Sequence, residues 1–250
     1  MNFTILRYES IGSTNSEAAE QAHRGADEGL CIIAERQTAG RGRHGRTWVS
    51  EAGSGLYFSV VLRPKLPPAS IPLITLMTGV AVFDTLLEFG IKPDIKWVND
   101  LLVNDLKISG ILAETVETAI GLAVVVGIGI NLTSRNFPDE IAGSATSVEE
   151  IAGKRILPDE MAEALTRYLR YFYDILASQS GPGEIISQWR RRSTYYSGKP
   201  VRVICSNETV EGETAGLEEN GALRVKTSDG SVRIIQSGDV TRLRAADQRP

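Results

Sequence analysis

The segment Gly121-Leu122-Ala123-Val124-Val125-Val126-Gly127-Ile128-Gly129-Ile130-Asn131-Leu132 decides the fold. Its run Val124-Val125-Val126 is apolar on both sides, which is typical of a central strand covered on both faces of a sheet. Gly127 and Gly129 remove the side chains from one strand face, so that a flat or bulky group could lie against the backbone. A bulge or close sheet packing would use the same glycines, and the segment lacks the strand–GxGxxG–helix context of a dinucleotide-binding fold.

The segments on either side predict an α+β domain whose mixed sheet is flanked by helices. Further strands are predicted at residues 3–8, 30–34, 56–62, 94–98, 101–103 and 107–116. Helices are predicted at residues 71–89, where apolar residues recur at helical spacing, and at residues 158–176 and 183–191. Thr14 and Glu17 fit a capping box that begins one more helix, and Gly25 ends it.

The character of the chain changes around residues 197–200, and from residue 201 onward it has short alternating runs of apolar residues. Asn220-Gly221 and Asp229-Gly230 are typical of two-residue hairpin turns between such runs. The pattern predicts a small all-β barrel attached to the larger domain. We therefore expect a main domain over residues 1–196 and a small C-terminal β domain over residues 197–250.

The composition excludes several classes of protein. The 250 residues are 42% hydrophobic and 23% charged with a net charge of −4, so the molecule as a whole has no cationic footprint, which counts against binding of DNA or RNA. Cys31 and Cys205 lie too far apart for a metal or disulfide motif, which favours a reducing compartment. Residues 1–7 do not have the basic start and long apolar core expected of a signal peptide, and the most apolar run, residues 71–89, contains Asp84 and Glu88. We expect a cytoplasmic protein that does not cross a membrane.

A second informative segment is Gly40-Arg41-Gly42-Arg43-His44-Gly45-Arg46-Thr47-Trp48, hereafter the Arg/Gly loop. Glycines let backbone N–H groups form a nest for an anion, and guanidinium groups add planar donors that match phosphate or carboxylate oxygens. Trp48 offers a flat face on which a base could stack. The loop predicts binding of a nucleotide. An exposed basic loop without a ligand and an RNA contact are the alternatives.

Two further segments place lysines among strand residues: Lys96-Trp97-Val98-Asn99-Asp100-Leu101 and Lys107-Ile108-Ser109-Gly110-Ile111-Leu112-Ala113-Glu114. Lysine in an apolar strand is unusual unless it meets an anion or extends to the surface. Lys107 alone would be interpreted as a solvated residue after a turn, and Asn99-Asp100 as an ordinary turn.

In this order, and together with Ser13-Thr14-Asn15 and Gln37, these segments resemble those of the biotin–protein ligases over nearly the whole chain. The resemblance implies a class II synthetase-like catalytic domain followed by a small SH3-like β-barrel. Val98 stands where the family commonly has proline, and His44 stands where relatives often have a basic residue. The chain starts at the catalytic domain, so the resemblance implies a monofunctional ligase that does not bind DNA or repress transcription.

The reaction implied by the resemblance has two steps. The carboxylate of biotin attacks the α-phosphorus of ATP and gives biotinyl-5′-AMP and pyrophosphate, and a lysine of an acceptor protein then attacks the mixed anhydride and releases AMP. Such chemistry needs fixed positive charge where the phosphates concentrate negative charge. Lys107, Arg43 and Asp100 are implied to be the catalytic residues. Asp100 either assists the acceptor amine or helps to hold Mg²⁺, and both roles stay open.

The resemblance also implies the residues that bind each substrate. Those expected around biotin are Ser13, Thr14, Asn15, Gln37, Gly40, Arg41, Lys107, Gly110, Gly127 and Gly129. Those expected around ATP and the adenylate are Arg41, Arg43, Arg46, Trp48, Lys96, Asn99 and Asn131. Arg242 or Arg244 is a further candidate for a contact with the triphosphate.

The expected partner is the biotin carboxyl carrier domain of a carboxylase, and a homodimer formed by pairing of sheet edges is left open. A lipoate–protein ligase is the nearest alternative enzyme, because its catalytic domain and chemistry are parallel. The Arg/Gly loop with the segment 96–100 favours biotin. A binding module that holds biotin or a nucleotide without turnover would not need Lys107, Arg43 and Asp100 together.

Overall fold

The computed structural model describes residues 1–242, with the side chain of the last of these left out. Seven strands form the large sheet: β1 (Thr4–Ile11), β2 (Leu30–Gln37), β3 (Gly55–Leu62), β4 (Asp94–Lys96), β5 (Asp100–Val103), β6 (Leu106–Thr118) and β7 (Gly121–Asn131). The helices are α1 (Thr14–His23), α2 (Leu73–Glu88), α3 (Asp139–Ala142), α4 (Val148–Ala152), α5 (Pro158–Leu176) and α6 (Gly181–Arg190). Five strands follow: β8 (Ser197–Ile204), β9 (Thr209–Leu217), β10 (Leu223–Lys226), β11 (Val232–Ile235) and β12 (Asp239–Arg242).

The large sheet has the strand order β1-β2-β3-β7-β6-β5-β4. β1 and β2 are parallel, and every other neighbouring pair is antiparallel, so the sheet is mixed. β7 lies between β3 and β6, and its residues Val124, Val125 and Val126 are at most 1% exposed. The predicted central strand and the predicted α+β class are confirmed.

Helices cover the two faces of the large sheet unequally. Leu56, Phe58, Val60 and Leu62 of β3 pack with α2, α5 and α6 in the main core. On the opposite face Val61 and Val125 pack with Ala18 and Ala22 of α1. Because successive strand residues face opposite ways, the residues two and four positions from Val61 and Val125 share the face of α1. α1 covers only part of that face, and the remainder is available for a binding site.

The small C-terminal sheet is antiparallel with the order β11-β10-β9-β8-β12. This confirms the predicted small β domain. β11 and β12 lie at opposite edges of the sheet, so within the described residues strand pairing does not close it into a complete barrel. The buried indole of Trp97 in the main domain donates a hydrogen bond to the carbonyl oxygen of Gly221 in the small sheet, at 3.0 Å. The division into domains at residues 196 and 197 stays a prediction.

Several local predictions differ from the structure. α1 is capped by Ser13, whose Oγ accepts from the backbone N–H of Ser16, so the capping box of Thr14 and Glu17 is wrong. Ser and Thr are both good N-cap residues, and two in succession leave the start of the helix ambiguous by one position. α6 begins at Gly181, two residues before the predicted start, and β8 begins at Ser197, before the predicted alternating runs. The short helices α3 and α4 were not predicted, because neither is long enough to show an apolar period.

One helical stretch of the described chain, Pro68–Glu88, is long and apolar enough to pass a test for a membrane span by length and composition. In the structure 67% of its most apolar window is buried against the rest of the protein. Leu76, Met77 and Val80 of this stretch belong to the main core. Its apolar character is therefore accounted for by packing between the large sheet and α5.

Candidate active site

The glycines of β7 make room for two side chains from distant parts of the sequence. A Cβ atom on Gly127 would lie 2.1 Å from Asn15 Oδ1, and one on Gly129 would lie 2.3 Å from Trp48 Cε2. Gly110 is paired with Gly129 on the adjacent strand, and its Cβ would lie 2.9 Å from the Trp48 ring. The strand face without side chains was predicted to receive a flat group. In the structure that group is the indole of Trp48.

A chain of hydrogen bonds joins the start of α1 to the end of β2. Gln37 Oε1 accepts from the backbone N–H of Thr14 at 2.8 Å and from its Oγ1 at 3.0 Å. Gln37 Nε2 donates to Ser50 Oγ at 2.8 Å, and Ser50 Oγ donates to the Trp48 carbonyl oxygen at 3.0 Å. These bonds fix the Gln37 amide and leave one of its N–H groups for another acceptor.

A second set of hydrogen bonds surrounds Asn15, which is 4% exposed. Asn15 Nδ2 donates to the carbonyl oxygen of Leu112 at 3.1 Å and to Glu114 Oε2 at 3.0 Å. The hydroxyl of Ser59, on the same face of β3, lies 2.7 Å from Asn15 Oδ1 and 2.8 Å from Thr14 Oγ1. Both N–H groups of the Asn15 amide are used by protein acceptors, so this residue supports the floor of the pocket.

The Arg/Gly loop is a narrow hairpin. Arg41 and Thr47 form an antiparallel bridge, the Gly42 N–H donates to the Arg46 carbonyl at 2.7 Å, and the Trp48 N–H donates to the Gly40 carbonyl at 3.0 Å. A Cβ on Gly40 would lie 2.3 Å from the Trp48 carbonyl oxygen, which explains why this position is glycine. The tip residue His44 has φ 54° and ψ 38°, a left-handed conformation that favours glycine or asparagine.

Each arginine of the loop contacts a side chain from another part of the chain, and Arg43 and Arg46 both lie near Asp239. Arg41 Nη2 contacts Glu114 Oε1 at 2.5 Å, Arg43 Nη1 donates to Asn99 Oδ1 at 3.1 Å, and Arg46 Nη2 contacts Asp239 Oδ2 at 2.7 Å. Burial lowers the pKa of Arg43, although the carboxylates of Asp239 and Asp100 act in the opposite direction. The loop is therefore held between the main sheet and the small sheet, with its guanidinium groups directed to different anchors.

Two cavities meet at this loop. The larger, of about 690 Å³, is within the size range of small-molecule sites, and the smaller measures about 120 Å³. Six residues line both cavities: Arg46, Thr47, Trp48, Tyr57, Asp100 and Lys107. A molecule in one cavity and a molecule in the other would meet at these six side chains. The arrangement therefore suits a reaction between two bound substrates.

Comparison with known proteins identifies the family. The model of the biotin/lipoate A/B protein ligase family matches residues 8–131, and that of the biotin protein ligase C-terminal domain matches residues 196–242. The bifunctional ligase/repressor BirA of Bacillus subtilis is 34% identical over 241 residues, which are 94% of this chain and 73% of that protein.

The chain belongs to the biotin protein ligase family. The biotin–[acetyl-CoA-carboxylase] ligase of Mycobacterium tuberculosis is 32% identical over 240 residues, covering 93% of this chain and 86% of that protein. A structure of the biotin protein ligase from Aquifex aeolicus in complex with biotin and ATP aligns with a TM-score of 0.84 and 30% identity, over 97% of this chain and 99% of that one. The resemblance found in the sequence is confirmed.

The sequence-predicted residues of this ligase divide between the two cavities. The smaller cavity is lined by Ser13, Thr14, Asn15, Gln37, Arg41, Lys107, Gly110, Gly127 and Gly129, which are the residues expected around biotin except Gly40. The larger cavity is lined by Arg46, Trp48, Lys96 and Asn131 of the group expected around ATP. Arg41, Arg43 and Asn99 of that group line the smaller cavity. Arg244 lies outside the described residues, and only the backbone of Arg242 is described.

Asn131, at the end of β7, is one of the polar groups of the larger cavity. Its Nδ2 donates to the carbonyl oxygens of Lys107 at 3.2 Å and of Thr146 at 3.1 Å. This side chain therefore ties β6 to the segment before α4, and its Oδ1 is left as the acceptor of the amide. This oxygen is available to accept a hydrogen bond from a molecule in the larger cavity.

Asp100 of the ligase lies between two lysines. Lys107 Nζ is 2.7 Å from its Oδ1, and Lys96 Nζ is 3.3 Å from its Oδ2. Burial alone would raise the pKa of the Asp100 carboxyl, but the ammonium groups of Lys107 and Lys96 outweigh burial and hold the pKa below its ordinary value. Lys107 Nζ also lies 5.3 Å from the centre of the Trp48 ring, within the range of a cation–π contact.

Asp100 does not form part of a metal-binding cluster in the described part of the chain, where no three His, Cys, Asp or Glu side chains come close enough to hold an ion. Both of its oxygens already face ammonium groups. Magnesium usually binds one or two carboxylates together with substrate phosphates. The described residues therefore do not fit a resident metal ion.

Sequence reasoning did not select four residues that hold the site together. Ser50 and Ser59 complete the hydrogen-bond network of the smaller cavity, and Glu114 and Asp239 bind the loop arginines. Ser59 gave a usable signal, because it is the one polar residue within the apolar strand 56–62 apart from Tyr57. Asp239 gave none, because an acidic residue in a small β domain is ordinary.

Proposed function

We propose that this protein activates biotin as biotinyl-5′-AMP and transfers the biotinyl group to a lysine of a carboxylase carrier domain. In the first step a carboxylate oxygen of biotin bonds to the α-phosphorus of ATP, and the bond from that phosphorus to the bridging oxygen breaks as pyrophosphate leaves. In the second step the acceptor nitrogen bonds to the carbonyl carbon of the anhydride. AMP leaves, and the amine gives up a proton.

The observation that supports this proposal most strongly is the junction of the two cavities. The smaller cavity presents hydrogen-bonding groups of Thr14 and Gln37 over the glycine face of β7, which suits an apolar bicyclic ring with a urea group. The larger cavity has the volume for a nucleotide. Lys107 lines both, at the point where a carboxylate and an α-phosphate would meet.

In the first step two anions must approach each other, so the proposal assigns the loop and the lysines to charge stabilisation. Lys107 has its Nζ at the junction of the cavities, with Lys96 on the opposite side of Asp100. Arg43 is held nearby by Asn99. Prearranged cations need little reorganisation when negative charge builds up on the phosphate oxygens. Mg²⁺ would enter with ATP and neutralise part of the triphosphate charge.

Between the two steps the anhydride must be kept from water. The Arg/Gly loop is the candidate cover, because Gly238 O accepts from Arg43 at 3.3 Å and Asp239 binds Arg46, so the small sheet closes over the loop. Closure of a loop over a reactive intermediate is a general means of excluding water. We assign this function to the contact between the loop and the segment 237–239.

In the second step the acceptor lysine must be uncharged before it can attack. The lowered pKa of Asp100 makes it a weak base near neutral pH. The proposal therefore assigns Asp100 to orienting the amine and holding Lys107, and assigns the proton to solvent. As in the relative from Mycobacterium tuberculosis, whose name specifies acetyl-CoA carboxylase, the acceptor is proposed to be a carboxylase carrier domain in the cytoplasm.

The experiment is incubation of the purified protein with biotin, ATP, Mg²⁺ and an isolated biotin carboxyl carrier domain, followed by mass measurement of the carrier. The proposal expects one biotinyl group on one lysine, and no change in a carrier whose acceptor lysine is replaced by arginine. A reaction with lipoate in place of biotin is the negative control. Modification with lipoate and none with biotin would assign the protein to the lipoate ligases instead.

A further inference from the structure

Glu114 occupies an unusual position on β6. Leu112, two residues earlier on the same strand face, lines the smaller cavity, and Val116, two residues later, packs in the core beneath α1. Glu114 therefore places a carboxylate on an otherwise apolar row, at the rim of the cavity. Its side chain is 31% exposed. A carboxylate in such a row requires partners, because burying an unpaired charge is costly.

The two oxygens of Glu114 bind two different parts of the site. Oε1 contacts Arg41 Nη2 in the Arg/Gly loop at 2.5 Å, and Oε2 accepts from Asn15 Nδ2 at the start of α1 at 3.0 Å. Arg41 and Asn15 are separated from Glu114 by 73 and 99 residues in the sequence. One carboxylate thus joins the loop to the floor of the smaller cavity.

On the Asn15 side, Glu114 fixes the orientation of an amide. With Nδ2 toward Glu114 and Leu112 O, the Oδ1 atom faces the Ser59 hydroxyl. A flipped amide would place Oδ1 against the carboxylate, which is repulsive. Because the Ser59 hydroxyl also contacts Thr14 Oγ1, the orientation of Asn15 affects the groups that face the pocket.

On the Arg41 side, Glu114 restrains the base of the hairpin. Arg41 pairs with Thr47, and Gly42 bonds to Arg46, so a restraint on Arg41 is passed to the whole loop. Trp48 follows Thr47 directly and lies against Gly129 and Gly110. Release of Arg41 would free the strand that carries Arg43, while the Trp48 indole stays packed against these two glycines.

We propose that Glu114 is a positioning residue that couples the floor of the smaller cavity to the Arg/Gly loop, and thereby slows the release of biotin and of biotinyl-5′-AMP. The proposal rests on the proposed function, since it concerns ligands of that site. Glu114 does not line the larger cavity, so its effect falls on the biotin side of the reaction and not on ATP binding. Closure of the loop then depends on both contacts of one carboxylate.

The test is the substitution Glu114→Gln, which keeps the size of the side chain and an acceptor for Asn15 but removes the charge that holds Arg41. Dissociation rates of biotin and of preformed biotinyl-5′-AMP are measured by chase with unlabelled biotin, together with KM for ATP. Loss of a hydrogen bond to a charged group corresponds to about ten- to hundredfold faster dissociation. The KM for ATP is expected to stay at the wild-type value. General damage to the fold would change this KM as well.

Two further variants make the result decisive. Glu117→Gln changes an exposed carboxylate on the same strand and is expected to match the wild type. Arg41→Gln combined with Glu114→Gln is expected to release ligand no faster than Arg41→Gln alone, because the pair of Arg41 and Glu114 is already broken in that variant. The coupling is overturned if the wild type makes biotinyl-5′-AMP but Glu114→Gln and Glu117→Gln release ligand at the same rate. A wild type without biotin-dependent activity would instead overturn the proposed function.

Discussion

The indole of Trp48 lies directly against the backbone of Gly129, so closely that a Cβ on that glycine would stand 2.3 Å from Trp48 Cε2. Gly129 belongs to the central strand, and Trp48 ends the Arg/Gly loop. Trp48 lines both cavities and therefore forms part of the wall between them. Because Gly129 has no side chain, the Trp48 indole can lie against the central strand and separate the two cavities.

Replacing Gly129 with alanine is expected to displace the Trp48 indole. Overpacking of this kind costs about 1–3 kcal/mol. The expected result is a raised KM for ATP and a changed tryptophan emission spectrum, with the secondary structure retained. Kinetics with varied ATP and fluorescence of the purified variant measure both effects.

The matched control for that change is Gly183→Ala, because a Cβ at Gly183 meets nothing within 4 Å and the residue lies in α6. This control should bind ATP normally and gain a little stability from helix propensity. Equal KM values for ATP in the two alanine variants would contradict the role given to the glycine face.

Arg43→Gly is expected to let biotinyl-5′-AMP escape before transfer. The substitution removes the contacts of Arg43 with Asn99 and with the carbonyl oxygen of Gly238, and these join the loop to both sheets. The released anhydride would then label lysines of bystander proteins such as serum albumin. Avidin blots of albumin mixed with the enzyme measure this labelling.

His44→Gly is the control, since it adds a glycine to the same loop at a residue whose φ of 54° glycine accepts without strain. This variant should keep its selectivity for the carrier. If Arg43→Gly labels bystander proteins no more than His44→Gly does, the Arg43 guanidinium does not retain biotinyl-5′-AMP and the prediction is wrong.

Lys107→Ala is expected to abolish adenylation. Lys107 Nζ lies at the junction of the cavities, and removal of one prearranged stabilising group typically reduces kcat by about 10²–10³. Exposed Lys92 provides a control of the same residue type. Exchange of pyrophosphate into ATP measures the first step alone, and a normal exchange rate in Lys107→Ala would show that another residue supplies the charge.

The pH dependence of stability follows from Asp100. Its pKa in the folded protein is below the unfolded value of about 3.9, so the ionised carboxylate stabilises the fold above that pH, and this contribution is lost as the pH falls toward the folded pKa. Asp100→Asn leaves Lys96 and Lys107 without their counter-ion and should cost about 1–3 kcal/mol at pH 7. The difference from wild type should shrink below pH ~4.

Urea unfolding of both proteins at a series of pH values measures that difference. A gap in unfolding free energy that stays constant from neutral to acidic pH would mean that the two ammonium groups do not interact with the Asp100 carboxylate as the structure describes. Secondary structure at each pH serves as the check that both proteins remain folded before urea is added.

Much of the fold could be predicted from local sequence patterns. The valine run of β7 and its two glycines are adjacent in sequence, and their burial and exposed face follow from alternation alone. The start of α1 was displaced by one residue, because Ser13 and Thr14 are both capable N-cap residues and only the tertiary structure selects between them. The small β domain was predicted from its hairpin signals, which specify which strands are neighbours but not whether the sheet closes.

The residues that assemble the site were less accessible to sequence reasoning. Arg46 and Asp239 are 193 residues apart, and nothing in the local sequence of either indicates the other. Glu114 was visible only as the end of a motif, since its function depends on the convergence of Arg41 and Asn15 on one carboxylate. Such contacts are set by the order of strands in the sheet.

The most direct test of the central claim is exchange of labelled pyrophosphate into ATP by the purified protein with Mg²⁺, in three parallel reactions with biotin, with lipoate and with neither. Exchange requires reversible formation of an acyl adenylate and no acceptor protein. The account predicts exchange with biotin alone. Exchange with lipoate and none with biotin, or tight binding of biotin without any exchange, would contradict it.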